Sequence, residues 1–204
     1  FVSANGLMSA GRAVLKRDLE YSEGERPIVA QLFSSDPVMM EGAARLAAEL
    51  GFDGIDINMG CPDKTIEKQG AGAAMMKAPE KALEIIRAAK RGIDQAVARS
   101  ASRRIPVSVK TRVGYSDVQI DTWIPMLLAE GISALTVHAR TRKDLSLVPA
   151  NWGYLKRVVE LRDKLAPETV IIGNGDVTSL ADGRAKAVHS GVDGAMVGRA
   201  LFGN

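Results

Sequence analysis

The chain has little from which to build extracellular or metal-bound structure. Of its 204 residues one is cysteine, Cys61, and two are histidine. A single thiol cannot close an internal disulfide, so a reducing cytoplasm is the expected home. No cysteine–histidine cluster exists to hold zinc, and no metal is expected. No apolar run approaches the ~20 residues that cross a bilayer, and no charged-then-apolar leader opens the chain. No membrane partner is expected. A Walker-type phosphate loop is absent too, and Gly70-Ala71-Gly72-Ala73-Ala74 lacks the third glycine of a dinucleotide fingerprint.

What remains is a soluble globular composition, 46% apolar and 25% charged, of a length that suits one domain. Charge is nearly balanced, 27 Lys+Arg against 24 Asp+Glu for a net +3. That small excess permits a nucleic-acid partner without requiring one. Both ends read as cut: the chain opens at Phe1 without an initiator Met and closes at Ala200-Leu201-Phe202-Gly203-Asn204, where a helix is expected to start. An interior piece of a longer protein is the expectation.

The strongest pattern is alternation. Short, nearly unbroken apolar runs cover Ile28–Phe33, Gly54–Asn58, Ile105–Lys110, Ala134–His138, Val170–Asn174 and Ala195–Gly198, as strands buried on both faces require. Helical periodicity fills Asp36–Leu50, Pro79–Gly92, Asp117–Gly131, Trp152–Leu165 and Ser179–Gly191. Pro37 and Pro79 sit near first helical turns, and Gly51, Gly92, Gly131 and Gly191 are placed as C-terminal caps. The basic segment Arg99–Arg104 reads as a solvated loop. Strand–helix alternation leaves a doubly wound sheet or a barrel. Gln31, Asn58, Lys110, His138, Asn174 and Arg199 stand at or just past strand C-termini, a distribution over six strands that one switch point does not need. The predicted fold class is α/β, a (β/α)8 TIM barrel that is incomplete, with six or seven of eight strands and one or two expected upstream of Phe1.

Several of these positions carry chemistry. Cys61 follows a strand in Asn58-Met59-Gly60-Cys61-Pro62, ahead of a helix that begins near Asp63. A buried packing thiol is one reading. A helix N-terminus would favour a thiolate nucleophile, and an ordinary thiol of pKa ~8.5 would instead serve as a general acid. Residue reasoning leaves these open. Lys110 and Arg112 are expected to project from alternate positions beyond a buried strand, as a solvated strand end or an anion site. His138 is followed by Arg140, Arg142 and Lys143, a cationic loop. Gly173-Asn174-Gly175-Asp176 and Gly198-Arg199 end successive strands with glycine, which admits a ligand to backbone N–H groups. The last two loops of a barrel frequently take phosphate, so a phosphorylated cofactor is expected there.

Taken in order, Asp56-Ile57-Asn58-Met59-Gly60-Cys61-Pro62, Gln69–Ala73, Val109-Lys110-Thr111-Arg112, Val137-His138-Ala139-Arg140-Thr141-Arg142, Gly173–Asp176 and Gly198-Arg199 resemble the tRNA-dihydrouridine synthases. Phe1–Leu7 and Ala30-Gln31-Leu32 match as well, so the likeness covers essentially the whole chain. The resemblance implies an FMN-containing barrel that reduces uridines in tRNA, with NADPH recharging the flavin. Carried over by position, Gln31, Lys110, His138, Asn174, Gly175, Asp176, Gly198 and Arg199 would bind FMN. Cys61 would donate the proton. Asn58 and Arg112 would lie against the target uracil, and Arg140, Arg142, Lys143 and Lys64 would hold surrounding phosphates. Residues 1–204 would then be part of the catalytic domain. The family's first strand and its C-terminal helical tRNA-gripping domain would lie outside the chain, the loop Asp94–Arg104 would be longer than usual, and a monomer is expected. Two rivals remain. One is a flavin barrel of the dihydroorotate or dihydropyrimidine dehydrogenase type, which shares an Asn-x-x-Cys-Pro-like stretch but acts on a free pyrimidine. The other is a non-catalytic RNA-binding barrel.

Overall fold

The computed structural model describes residues 1–100 and 103–202. Seven parallel strands form one sheet: β1 (Val2–Ser3), β2 (Val29–Phe33), β3 (Gly54–Asn58), β4 (Val107–Arg112), β5 (Ala134–His138), β6 (Val170–Asn174) and β7 (Gly194–Met196). They pair in sequence order, β1 through β7. The helices that cover the sheet are α1 (Ala4–Leu7), α2 (Arg12–Leu15), α3 (Pro37–Glu49), α4 (Lys64–Lys68), α5 (Pro79–Ser100), α6 (Ile120–Ala129), α7 (Gly153–Leu165) and α8 (Leu180–Ser190). Sequential parallel pairing with crossover helices is the winding of a TIM barrel. Strand β1 and the short helices α1 and α2 are new relative to the sequence pattern, because segments of two to four residues carry no readable periodicity.

Register sorts the strand residues into two faces. Leu32, Ile57, Val109, Leu135 and Ile171 are aligned neighbours across β2–β6 and are buried toward the helices. The opposite face stacks in tiers: Gln31, Asp56 and Ser108; then Asn58, Lys110, Thr136 and Ile172; then Arg112, His138, Asn174 and Met196. Apolar side chains therefore build the core between sheet and helices, while the enclosed face is polar toward the strand C-termini.

Three sequence expectations are corrected. Gly92 does not cap a helix. It lies inside α5, and a Cβ there would stand 2.1 Å from the Glu41 carbonyl oxygen of α3. Glycine is present because two helices touch backbone to backbone. The expected loop over Asp94–Arg104, with its basic part Arg99–Arg104, is helical through Ser100, where α5 ends, and residues 101–102 lie outside the described residues. Lys110 and Arg112 lie within β4 and project from it, not beyond it. By contrast Gly51, Gly131 and Gly191 end their helices with positive φ, as caps should.

Candidate active site

The two halves of the site grow from opposite sides of β4. On one side, a cavity of about 760 Å³ opens at the C-terminal ends of β5, β6 and β7. It is lined by Lys110, His138, Asn174, Gly175, Asp176, Gly198 and Arg199, together with Arg140 and neighbouring loop residues. Arg199 opens a short 3₁₀ turn, Arg199–Phe202, and is exposed. A Cβ built on Gly198 would meet nothing within 4 Å. The glycine thus leaves space beside the cavity that the protein does not fill.

The loops around this cavity are set by Arg140. Its buried guanidinium donates to both Asp176 carboxylate oxygens at 2.8 and 2.6 Å, to the Val148 carbonyl at 2.6 Å, and to His138 Nε2 at 3.1 Å. Asp176 also accepts from the Ala150 N–H, 2.8 Å away. Its φ of 50° after Gly175 at 120° turns the backbone under that ion pair. Burial opposes the Asp176 charge, but Arg140 and the Ala150 N–H outweigh it and hold the carboxyl below its usual range. Because Nε2 accepts from Arg140, the His138 proton sits on Nδ1. Burial, then Arg112, Lys110 and Arg140, push this histidine down to about 3.

A pH consequence follows. The unfolded chain takes a proton on histidine near pH ~6.5, which the folded His138 refuses. Its contribution to stability is present above that value and is lost as pH falls toward about 3. In the His138→Asn variant the fall in Tm between pH 7 and pH 4 is expected to be shallower than in the parent. Equal slopes would show that His138 does not titrate on unfolding.

On the other side of β4 lies the Cys61 turn. Asn58, the last residue of β3, accepts from the N–H groups of Gly60 and Cys61 at 3.1 and 2.9 Å and so fixes the turn. Gly60 passes against the Thr111 backbone, where a Cβ would stand 3.1 Å from the Thr111 carbonyl carbon. Asp63, not Cys61, caps α4 through the N–H groups of Thr65 and Ile66. The thiol is half-buried and packs beside Phe33, Ile66 and Ala71.

Arg112 ties this turn to the loop after β5. Its Nε donates to the Gly60 carbonyl at 2.8 Å and its Nη1 to the carbonyls of Thr141 and Leu145 at 3.0 and 3.2 Å. Burial lowers it to about 10, with Arg140 adding repulsion and Cys61 attraction. Arg142 ties the same loop to α4 through a forked ion pair with Glu67. Lys110 joins the halves: it lines the cavity, pairs in register with Asn58, and its ammonium makes no hydrogen bond among the described residues, while its carbonyl accepts from the Met59 N–H at 2.7 Å. Burial pushes its amine down, Arg112 adds to this, and Asp56 and Cys61 act in the other direction.

Seven of the expected cofactor residues therefore converge on one cavity, while Gln31 does not line it. Cys61, Asn58 and Arg112 form a neighbouring group joined to it by Lys110 and His138. Arg140 and Arg142 are held in internal ion pairs, whereas Lys64 and Lys143 are exposed. Two contributors were not singled out from sequence. Asp56, two positions before Asn58 on the same strand face, was detectable as a carboxylate inside a buried strand. Glu67 gave no signal, being 75 residues from its partner.

Fold and site together define a TIM-barrel protein with a polar cavity at the C-terminal ends of its strands. The family model described as "Dihydrouridine synthase (Dus)" matches residues 1–204, and the chain belongs to that family. It is 38% identical over 195 residues to "Probable tRNA-dihydrouridine synthase 2" of Bacillus subtilis, covering 95% of this chain and 57% of that protein. A "Probable tRNA-dihydrouridine synthase" of Staphylococcus aureus strain COL is 37% identical over 187 residues, 91% of this chain and 54% of its own length. The chain spans about half the length of these curated relatives. Among solved structures, dihydroorotate dehydrogenase of Eimeria tenella in complex with ferulenol aligns with a TM-score of 0.64 at 15% identity, over 95% of this chain and 60% of that one. At that identity the likeness is one of fold.

Proposed function

We propose that this chain is the catalytic barrel of an FMN-dependent enzyme that reduces uridines in tRNA to 5,6-dihydrouridine. The observation that carries the reading is the meeting of Lys110, His138, Asn174, Gly175 and Gly198-Arg199 at one cavity, beside the Cys61 turn. The residues fit a phosphorylated flavin. Lys110 and Arg199 supply positive charge, the one lining carboxylate is neutralised by Arg140, and Gly198 leaves an unfilled cradle. A flavin held by Lys110, His138, Asn174 and Arg199 would supply the hydride chemistry for uracil C6, with NADPH as its reductant.

The chain's own residues do the rest. Hydride arrival at C6 places negative charge on C5 and the C4 carbonyl, and a proton must reach C5. Cys61 Sγ, held by the Asn58-fixed turn, donates it as a general acid. Lys110 offsets negative charge in the site, and His138, neutral and oriented by Arg140, offers its Nδ1–H. Asn58 and Arg112 would border the base. A stacked uridine must leave its helix to reach this face, at a few kcal/mol, and Lys64 and Lys143, both exposed, would hold neighbouring phosphates. A cytoplasmic, monomeric enzyme completes the reading.

The test is direct. Purified full-length protein is expected to be yellow and to release FMN on denaturation. A colourless protein that takes up no added FMN would instead favour an RNA-binding barrel without catalysis.

A further inference from the structure

One hydrogen-bond chain links β4, β3 and β2 across the polar face and ends on the Cys61 turn. The Ser108 hydroxyl donates to Asp56 Oδ1 at 2.7 Å, and Gln31 Nε2 donates to Asp56 Oδ2 at 2.6 Å. Asn58 Nδ2 donates to Gln31 Oε1 at 3.1 Å, and Asn58 Oδ1 receives the Gly60 and Cys61 N–H groups. An amide can turn over, so Gln31 and Asn58 are each ambiguous alone. Here the ends remove the ambiguity. Backbone N–H groups can only donate, and Asp56 presents an acceptor to Gln31. Asp56 is buried, and burial pushes its carboxyl up while Ser108, Gln31 and Lys110 act to lower it.

We propose that Asp56 is a positioning residue: it fixes the direction of the Gln31–Asn58 amide chain and thereby both the conformation of the Cys61 turn and the donor–acceptor pattern these amides present to a ligand. Reversing the chain would leave the Gly60 and Cys61 N–H groups facing an amide nitrogen, a buried mismatch. The chain exists whatever the ligand; its service to uridine reduction rests on the function proposed above.

Isosteric substitutions test direction without changing packing. In Gln31→Glu, a carboxylate oxygen replaces the N–H that now meets Asp56. Two carboxylates at that separation cannot both ionise, so the introduced carboxyl must keep a proton for the chain to persist. Its folded pKa is raised, so the variant is sound below the unfolded value of ~4.3 and loses stability as pH rises through the folded value. Lys110, from β4, is the charge that acts on Asp56, and Arg112 and Cys61 in turn act on Lys110. Adding Asp56→Asn restores a donor opposite the introduced carboxylate, keeps an acceptor for Ser108, and leaves the direction at Asn58 unchanged.

At pH 8 the Gln31→Glu single variant is expected to melt at least ~4 °C below the Gln31→Glu/Asp56→Asn double variant. Iodoacetamide should alkylate Cys61 about 10-fold faster in the single variant, its turn having lost an anchor. The double variant should match the parent in both. Should the single variant fail to fold, folding of the double variant alone carries the proposal. Equal impairment of single and double variants overturns it, as does a single variant indistinguishable from the parent from pH 5 to 9. Both readouts are taken on the full-length protein without tRNA, so they stand or fall separately from the uridine-reduction reading.

Discussion

Replacing Cys61 by alanine is expected to leave the protein yellow while cutting dihydrouridine formation at least ~100-fold, the low end of what a positioned general acid contributes. The two readouts separate because the thiol does not line the cavity formed by Lys110, His138, Asn174 and Gly198. The turn that carries it is built from backbone: Asn58 grips its N–H groups, Arg112 its Gly60 carbonyl, and the Ala73 N–H donates to the Cys61 carbonyl at 2.9 Å. None of these contacts uses the sulfur, so alanine preserves the turn and removes the proton. Nucleoside mass spectrometry of tRNA incubated with each protein measures the effect. Undiminished product would remove Cys61 from proton transfer and return the thiol to a packing role beside Phe33 and Ile66.

A second large effect is expected where no ligand is involved. Gly92→Ala should raise stability by roughly 1 kcal/mol on helix propensity alone. The contact with α3 opposes this: the new Cβ would stand 2.1 Å from the Glu41 carbonyl oxygen and 3.0 Å from the Arg45 amide nitrogen. Both are backbone atoms, so relief requires α3 and α5 to separate. That separation would also strain the flanking Arg91–Glu41 and Gln95–Glu41 contacts, 2.8 and 2.6 Å long. Overpacking of this kind costs on the order of 3 kcal/mol. The balance favours destabilisation, and at ~2–4 °C per kcal/mol a Tm lowered by roughly 4–8 °C is expected in a domain of this size. A thermal melt that shows no loss would mean the two helices have room to adjust.

Gly92 also marks where sequence reading stops. At Gly51, Gly131 and Gly191 the residue type and its place after an apolar periodicity sufficed, since a left-handed cap is a local demand. Gly92 has the same local look, but its cause is a helix about 50 positions upstream. Strands β3, β5 and β6 were legible to the residue, because each is a short, nearly unbroken apolar run that closes on a polar residue, Asn58, His138 or Asn174. Strand β1, two residues long, had no pattern to offer. The site divides in the same way. Lys110, His138, Asn174 and Arg199 announced themselves as polar residues at the ends of apolar runs. What Arg140 and Arg142 do within the fold was hidden, since a cationic loop looks the same whether it faces RNA or is bound internally to Asp176 and Glu67. Asp56 lay within a quoted motif, yet its importance rests on Gln31, Ser108 and Asn58, which come together around it from three strands.

The central claim is that this polar strand-end face passes reducing equivalents to a uridine held in RNA. Full-length protein reduced with NADPH in the absence of oxygen, then mixed with unmodified tRNA, tests it in one step. The account predicts that the flavin absorbance returns with tRNA and dihydrouridine accumulates in proportion, while free uracil and orotate leave the flavin reduced. Reoxidation by a free pyrimidine but not by tRNA would contradict it.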